Sequence, residues 1–382
     1  MPRNHDRKIS FLGLPVYARK CKLERLGRYT IIHQLLGGAA QLTKYDDGRL
    51  RLSLFGVSVF VHGLTKTKIL GINVYKHGHT EKWLDKIQSH TDKEYDDIYL
   101  IRHNIGEAYV ELLHLGDAIK ANKSRKPLLV LWDKKYDGFY KMFLPEGMDM
   151  RYIDLSQRDI QLIFDEETII KHDGRRFICT TPQIVPNMKK LMITQPDVNF
   201  YDYINDAAGV KKGAKPALPK PSAEARWRVK SKIERMGLDN NFVILCPEAL
   251  SLAELNDGFW EILAEGLRKR GYDIFVNAYD KDMALKNVKS ARMTIEEIFV
   301  LAGQSKGIIS LGSGLAVFLT SAGVKMDLLY TDFNNRKVDD SSLVMQIYSV
   351  HHLPGVSSEL VKEYDTNKIK DEELINAILQ RY

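Results

Sequence analysis

Cysteine is scarce in this chain of 382 residues: Cys21, Cys179 and Cys246 lie far apart, with no C-x-x-C pair and no Cys/His cluster at zinc spacing. A disulfide scaffold and a structural metal are therefore not expected, and a reducing compartment is. Also missing is any run approaching the ~18 apolar residues of a membrane span. The stretch from Ile9 to Val16, behind a polar and basic start, is short and interrupted by Gly13 and Pro15, which does not suit a signal sequence. A cytoplasmic protein is the expectation, with peripheral contact at the inner face of the cell membrane left open by its basic surface. No single sign of charge dominates: 56 Lys+Arg stand against 49 Asp+Glu, a net charge of +7. That mild excess favours anionic partners without naming one, and nucleic acid is not expected. What is present is ample core-forming material. At 44% hydrophobic residues and a prior of ~150 residues per domain, two to three folded domains are expected.

The first 80 residues carry an internal echo. Phe11-Leu12-Gly13-Leu14-Pro15-Val16-Tyr17, Leu54-Phe55-Gly56-Val57-Ser58-Val59-Phe60 and Ile69-Leu70-Gly71-Ile72-Asn73-Val74-Tyr75 share one pattern of apolar pair, glycine, apolar, any residue, valine, aromatic. Each copy predicts a short strand bent at its glycine, and uneven spacing argues against a solenoid. From residue 94 strands alternate with helical patterns: strands at 97–101, 128–132 and 150–155, and a helix over 108–121. Strand, helix, strand within ~30 residues marks a parallel βαβ unit. Residues 211–222, with three prolines and four lysines, suit neither a helix nor a central strand and predict a linker. Beyond it the alternation resumes, with strands at 242–246, 272–277, 307–311 and 325–330, helices at 258–270, 295–303 and 315–322, and an amphipathic helix over 358–382. The expected plan is a β-rich extension (1–90), an α/β domain (91–210), the linker (211–222), a second α/β domain (223–355) and a C-terminal helix (356–382).

Open parallel sheets bind ligands beyond the carboxyl ends of their strands, so the loops there are the places to look. In Leu311-Gly312-Ser313-Gly314-Leu315 a buried strand runs into a helix. Its glycines permit close backbone approach, Ser313 offers a hydroxyl, and helix-start N–H groups suit a phosphate or diphosphate. The same residues also read as a helix N-cap with packing glycines. In Ile101-Arg102-His103-Asn104-Ile105-Gly106-Glu107, Glu107 falls in a first helical turn, where the helix dipole favours the ionised form and a carboxylate could accept a hydroxyl proton. His103 competes as a base. Either can equally be an ordinary loop or helix-start residue. Asp280-Lys281-Asp282 has the D-x-D form of metal-dependent sugar transferases but sits among further charges, and a solvated loop with no metal is expected. His351-His352 reads as a surface loop, since adjacent residues rarely point at one ion. Arg175-Arg176 and the stretch Arg226 to Lys232, with Trp227, could contact phosphates, but a helix face is the better reading.

Taken together, these loops resemble those of GT-B glycosyltransferases, especially the ADP-heptose transferase type of lipopolysaccharide synthesis. Residues 101–107 are similar to that family's Ile-Arg-x-x-x-Ile-Gly-Asp, with Glu107 in the acidic position and one residue fewer between Arg102 and Gly106. Cys246-Pro247-Glu248-Ala249-Leu250-Ser251 stands where the family has Pro-Gly-Ala-Ser, residues 294–305 resemble the helix before the donor loop, and 307–315 resemble the donor loop itself. That family's loop reads Asp-Ser-Gly-Pro with a histidine shortly after; here Gly312 precedes Ser313-Gly314 and no histidine follows before Phe318. The repeated strands of the first 80 residues resemble N-terminal extensions of bacterial capsule, O-antigen and cell-wall polysaccharide glycosyltransferases. The resemblance implies an α/β fold of two Rossmann-like domains and a metal-independent, inverting transfer from a nucleotide-sugar donor to a surface-glycan acceptor, without a cofactor. It makes Glu107 the general base and gives the donor diphosphate to Gly312, Ser313, Gly314 and Leu315; by position, Asn277 at the end of the strand over 272–277 and Glu296 at the start of the next helix are weaker candidates for the donor nucleoside. The alternative is a non-catalytic glycan- or nucleotide-binding protein on the same two-domain shell.

Overall fold

A computed structural model describes residues 7–11, 14–18, 24–26, 29–35, 40–45, 50–54, 57–62, 66–69, 72–75, 79–92, 94–101, 105–131, 136–153, 169–178, 199–202, 215–255, 257–277, 285, 287–333 and 341–382. Two compact units are present, one of Met1–Lys93 with Leu155–Gly174, the other of Glu94–Asp154 with Arg175–Tyr382.

The first unit is antiparallel. β1 (Arg7–Phe11) pairs with β2 (Leu14–Ala18), and a seven-stranded meander follows in chain order: β3 (Glu24–Leu26), β4 (Tyr29–Leu35), β5 (Ala40–Tyr45), β6 (Leu50–Leu54), β7 (Val57–His62), β8 (Lys66–Ile69) and β9 (Ile72–Tyr75). The β-rich extension is present, but the echo is a hairpin rather than one bent strand. Phe11 pairs with Leu14, Leu54 with Val57 and Ile69 with Ile72. Each pairing leaves a connection of two residues whose second member is the repeated glycine. The three glycines themselves lie outside the described residues. Helix α1 (His79–Ser89) and β13 (Ile169–His172) complete this unit, tied by His172 Nε2 to Asp85 Oδ1 at 2.8 Å.

The second unit holds two parallel sheets. β10 (Asp97–Leu100), β11 (Pro127–Leu131), β12 (Asp149–Tyr152) and β14 (Arg175–Ile178) lie in the order β12-β11-β10-β14. Helices α2 (Ile105–Leu113), α3 (Leu115–Ala121) and α4 (Asp137–Lys141) make the connections between the first three strands. The expected single helix over 108–121 is broken at His114, whose φ of −121° and ψ of 9° are not helical. After α5 (Ala223–Met236) comes β15 (Phe242–Cys246), then α6 (Asp257–Lys269), β16 (Asp273–Val276), β17 (Lys289–Ser290), α7 (Ile295–Ala302), β18 (Gly307–Leu311), α8 (Gly314–Leu319), β19 (Met326–Tyr330), α9 (Ser341–Tyr348), β20 (Val361–Asp365) and α10 (Asp371–Leu379). These six strands lie in the order β17-β16-β15-β18-β19-β20, all parallel, which is the doubly wound Rossmann order.

The predicted strands and helices of the second half are found within a residue or two, except that the helix expected over 315–322 ends at Leu319 and passes into a 3-10 turn over Thr320–Ala322. Its tail departs from expectation. Residues 358–382 were expected to form one helix, but Val361–Asp365 adds a sixth strand beside β19 before α10 begins. Val361 is buried while Lys362 is exposed, the mixed pattern of an edge strand that meets the core at few positions.

Both sheets share one hydrophobic core. Tyr109 of α2, Phe139 of α4 and Phe143 just after it meet Phe318 of α8 edge-to-face at centroid distances of 5.6, 5.1 and 6.1 Å, and Phe299 of α7 stacks on Phe318 at 5.0 Å. Such pairs contribute about 0.5–1.5 kcal/mol each beyond their burial. Residues 215–222 have no regular structure and are stitched to both halves. Ala217 N–H donates to the Leu113 carbonyl, Lys220 N–H to Met142 (both 2.9 Å), and Ser222 N–H to Glu296 Oε1 at 2.7 Å.

Candidate functional site

Both candidate turns leave their sheets where the strand order reverses. In the first sheet the reversal lies between β10 and β14, and α2, which carries Glu107, follows β10. In the second it lies between β15 and β18, and the Gly312–Leu315 turn follows β18. A crevice at such a reversal is the general ligand position of open α/β sheets.

β18 is buried along its whole length. Gly312 N–H donates to the Leu329 carbonyl at 2.9 Å, which hangs the turn on β19. Ser313, with φ −129° and ψ 166°, is the N-cap of α8, its Oγ accepting from Ala316 N at 3.2 Å. The N–H groups of Ser313, Gly314 and Leu315 lie at the open end of the helix, while the N–H of Gly312 is already engaged. The two glycines have close neighbours. A Cβ on Gly312 would sit 2.8 Å from Cε1 of Tyr330, and one on Gly314 would sit 2.8 Å from the backbone nitrogen of Gly106. A Cβ on Gly106 would in turn lie 2.8 Å from Cα of Gly314. The starts of α2 and α8, far apart in the chain, therefore touch backbone to backbone, and Glu107 is the residue next to that contact.

Glu107 is half-buried in the first turn of α2, where the dipole favours its charge. The buried Tyr201 lies within its electrostatic reach. The Tyr201 phenol is held well above its ordinary range, first by burial and then by electrostatic interaction with Tyr348, Glu363 and Glu107. His103, and Asp280 with Asp282, lie outside the described residues.

Asn277 directly follows β16, its N–H on the Leu245 carbonyl at 2.9 Å, and the side chains of Ser310 and Asn277 act on the Cys246 thiol, opposing the effect of its burial. Burial pushes that thiol up to about 12, so Cys246 is an inert core residue. Glu296 is buried. Its carboxylate accepts from Ser222 N, stands 3.9 Å from Arg228 Nη2, and approaches Gly138 so closely that a Cβ there would lie 3.2 Å from Oε2. Next to it Glu297 completes a capping box with Thr294 and bonds Arg228 Nε at 2.9 Å and Lys232 Nζ at 2.8 Å. Burial opposes its ionisation, but hydrogen bonds from Lys232, the Thr294 N–H and Arg228 outweigh it and hold the carboxyl below its usual range. These two carboxylates fasten α5 and residue 222 to α7.

The charge clusters resolve into structure. Arg176 bonds the fully buried Asp97 through Nε and Nη2, both at 2.5 Å, and gives its third contact to the Asn122 carbonyl. Phosphate contact by Arg176 is thereby replaced by a buried ion pair. Arg228 and Lys232 belong to the α5–α7 network, as a helix face should, while Trp227 remains exposed. His351 and His352 face different carboxylates: His352 Nδ1 lies 2.7 Å from Asp202, and His351 Nε2 lies 3.7 Å from Glu363.

Sequence reasoning missed the buried group behind the turn. Tyr330 Oη lies 2.8 Å from the Tyr348 carbonyl and 2.7 Å from Glu363 Oε1, and Glu363 also accepts from Ser349 Oγ at 2.6 Å and Val350 N at 2.8 Å. Glu363 stands in the segment expected to be helical, so its place beside β19 had no local signal.

No family model and no curated protein matches the chain. Among solved structures it is similar to the glycosyl transferase family 9 protein from Veillonella parvula DSM 2008, at 14% identity over 76% of this chain and 98% of that one, TM-score 0.49. It is similar to the E. coli ADP-heptose lps heptosyltransferase II, at 11% identity over 75% and 99%, TM-score 0.46. A third similar structure is the E. coli heptosyltransferase WaaC with ADP, at 11% identity over 74% and 96%, TM-score 0.42.

Proposed function

We propose that this chain is a GT-B glycosyltransferase that moves a sugar from a nucleotide-sugar donor to a bacterial surface glycan. The observation that carries the reading is the contact of Gly106 with Gly314. It brings the start of α2, with Glu107 in its first turn, against the start of α8, each helix following a strand at the reversal point of its own sheet, and a proton acceptor near an anion cradle is what glycosyl transfer requires. Glu107 takes the proton of the acceptor hydroxyl. The acceptor oxygen forms its bond to the anomeric carbon as the bond to the diphosphate oxygen breaks, the configuration inverts, and the diphosphate leaves with the electron pair. The N–H groups of Ser313, Gly314 and Leu315 receive the charge that develops there, so the step is drawn without a metal. Gly312 serves by its smallness. His103 is the second candidate base, and Asn277 stands at the strand end where a nucleoside would lie. Glu296 acts on the site through the joint it closes. A lipid-linked acceptor at a membrane surface suits the net charge of +7.

The test is nucleotide release from UDP-, GDP-, ADP- and CMP-sugars in the presence of oligosaccharide or lipid-linked acceptors. Glu107→Gln is expected to lower turnover by about 10²–10⁴-fold, the usual worth of a general base, with donor affinity within about twofold. Unchanged turnover would remove Glu107 from the mechanism. A second reading, a non-catalytic nucleotide- or glycan-binding protein, draws on the same turn, because Gly312 and Gly314 both have packing partners and Ser313 Oγ caps its own helix. Donor-induced stabilisation without release by the unaltered protein would favour it.

A further inference from the structure

The Gly312–Leu315 turn rests on a buried polar bracket that packing alone does not require. Tyr330 is the last residue of β19, and the edge of its ring, Cε1 and Cδ1, lies 2.8 and 2.9 Å from where a Cβ on Gly312 would stand. A phenylalanine would fill that space equally well. The hydroxyl adds attachment instead. It meets the Tyr348 carbonyl at 2.8 Å and Glu363 Oε1 at 2.7 Å. The Glu363 side chain is only 3% exposed, and removing a carboxylate from water is costly unless its oxygens are matched by donors. Here they are: Ser349 Oγ at 2.6 Å on Oε2, Val350 N at 2.8 Å on Oε1, with His351 Nε2 further off at 3.7 Å. The bracket thus ties β20, residues 348–350 and the end of β19 to a single ring edge. That ring edge abuts the first residue of the turn, whose own N–H hangs on the preceding residue of β19, Leu329, at 2.9 Å.

We propose that Tyr330, clamped by Glu363, is a positioning residue that sets the height and tilt of the turn and so aims the N–H groups of Ser313, Gly314 and Leu315 at a diphosphate. The inference rests on the donor reading given above and adds to it the element that holds the cradle in register. Direct contact of Tyr330 with the ligand is not part of it. An N–H cradle works only while several dipoles converge on one point, and a shift of a few tenths of an ångström at Gly312 carries to every residue after it.

The experiment measures binding of UDP, GDP, ADP and CDP, each beside its parent nucleoside, by calorimetry on the full chain and on Tyr330→Phe, Glu363→Gln and Ser349→Ala. Tyr364→Phe is the control, because it breaks another tyrosine–carboxylate bond, to Asp327 at 2.9 Å, from the residue that follows Glu363 on β20. The diphosphate that binds the unaltered protein is expected to lose about tenfold in affinity in Tyr330→Phe and Glu363→Gln, equivalent to ~1.4 kcal/mol. Ser349→Ala, which removes one donor and is the mildest change, is expected to lose about threefold. Affinity for the nucleoside stays within about twofold in all of them, and Tyr364→Phe lowers the melting temperature without changing the ratio of diphosphate to nucleoside affinity. A merely structural bracket would move both ligands together or neither. If Tyr330→Phe and Ser349→Ala bind diphosphate like the unaltered protein, the positioning role is overturned and the donor reading stands. Equal loss for diphosphate and nucleoside also overturns it. If the folded, unaltered protein binds none of the four diphosphates, the donor reading fails and takes this inference with it.

Discussion

Substituting alanine at Gly314 probes the contact on which the site depends. Neither Gly314 nor Gly106 has a left-handed φ, so alanine suits both backbones and the effect comes from space alone. The new methyl of Gly314→Ala would lie 2.8 Å from the Gly106 nitrogen and 3.4 Å from its Cα. Both are backbone atoms at the start of a helix and cannot swing aside as a side chain would. Overpacking of this kind costs about 1–3 kcal/mol, against which alanine regains at most ~1 kcal/mol of backbone entropy. At roughly 2–4 °C per kcal/mol for a large domain, a net loss of ~1–2 kcal/mol lowers the melting temperature by about 2–8 °C. The internal reference is Gly116→Ala, in α3, where a Cβ meets nothing within 4 Å; it is expected to raise stability by about 0.5–1 kcal/mol. Gly106→Ala should behave like Gly314→Ala, and the double variant should cost less than the sum, because one methyl already separates the turns. The assay is urea unfolding of all four variants, with nucleotide release measured in parallel. Release is expected to fall about 10²-fold, since ~1 Å of misplacement at reacting groups costs that much. If Gly314→Ala is as stable as Gly116→Ala, the two helix starts are not in contact and the proposed pairing of Glu107 with the turn is refuted.

Two further outcomes concern stability. Asp327 is fully buried with Arg381 Nη1 at 2.5 Å and Tyr364 Oη at 2.9 Å; burial raises its carboxyl above the usual range, and Arg381 opposes that shift. Arg381→Ala leaves the charge without its main partner and is expected to cost about 3–5 kcal/mol, largely recovered by adding Asp327→Asn; a melting temperature unchanged in the single variant would contradict this. His114 is 3% exposed, and among the described residues neither ring nitrogen has a hydrogen-bond partner. Burial lowers its pKa, with the nearby Asp117 opposing. The folded state therefore binds this proton less readily than the unfolded chain, and stability falls as pH drops below the ordinary histidine value of ~6.5. His114→Leu should flatten that decline between pH 7.5 and 5.5 in urea titrations, and an identical slope in both proteins would show that other groups cause it.

The strands of the second half could be read from the chain because parallel strands covered on both faces appear as continuous apolar runs, as in Phe242–Cys246, Gly307–Leu311 and Met326–Tyr330. Strand, glycine turn and helix start are local features too, which is why the neighbourhoods of Glu107 and Ser313 could be picked out one at a time. Their meeting could not, since it depends on which helix ends the two sheets bring together. The same limit governs the glycines: the pattern shows that Gly106, Gly312 and Gly314 lack a side chain, but only the packed core shows that a neighbouring backbone and the Tyr330 ring take up the space. Val361–Asp365 was misread because only its ends are buried, leaving too little apolar periodicity to mark a strand. Glu363 lay hidden for the same reason, since a buried carboxylate is defined by donors that arrive from elsewhere in the chain. Local hydrophobicity and turn chemistry determine which elements form, whereas the meeting of the two helix starts at Gly106 and Gly314 is a long-range contact that only the folded core selects.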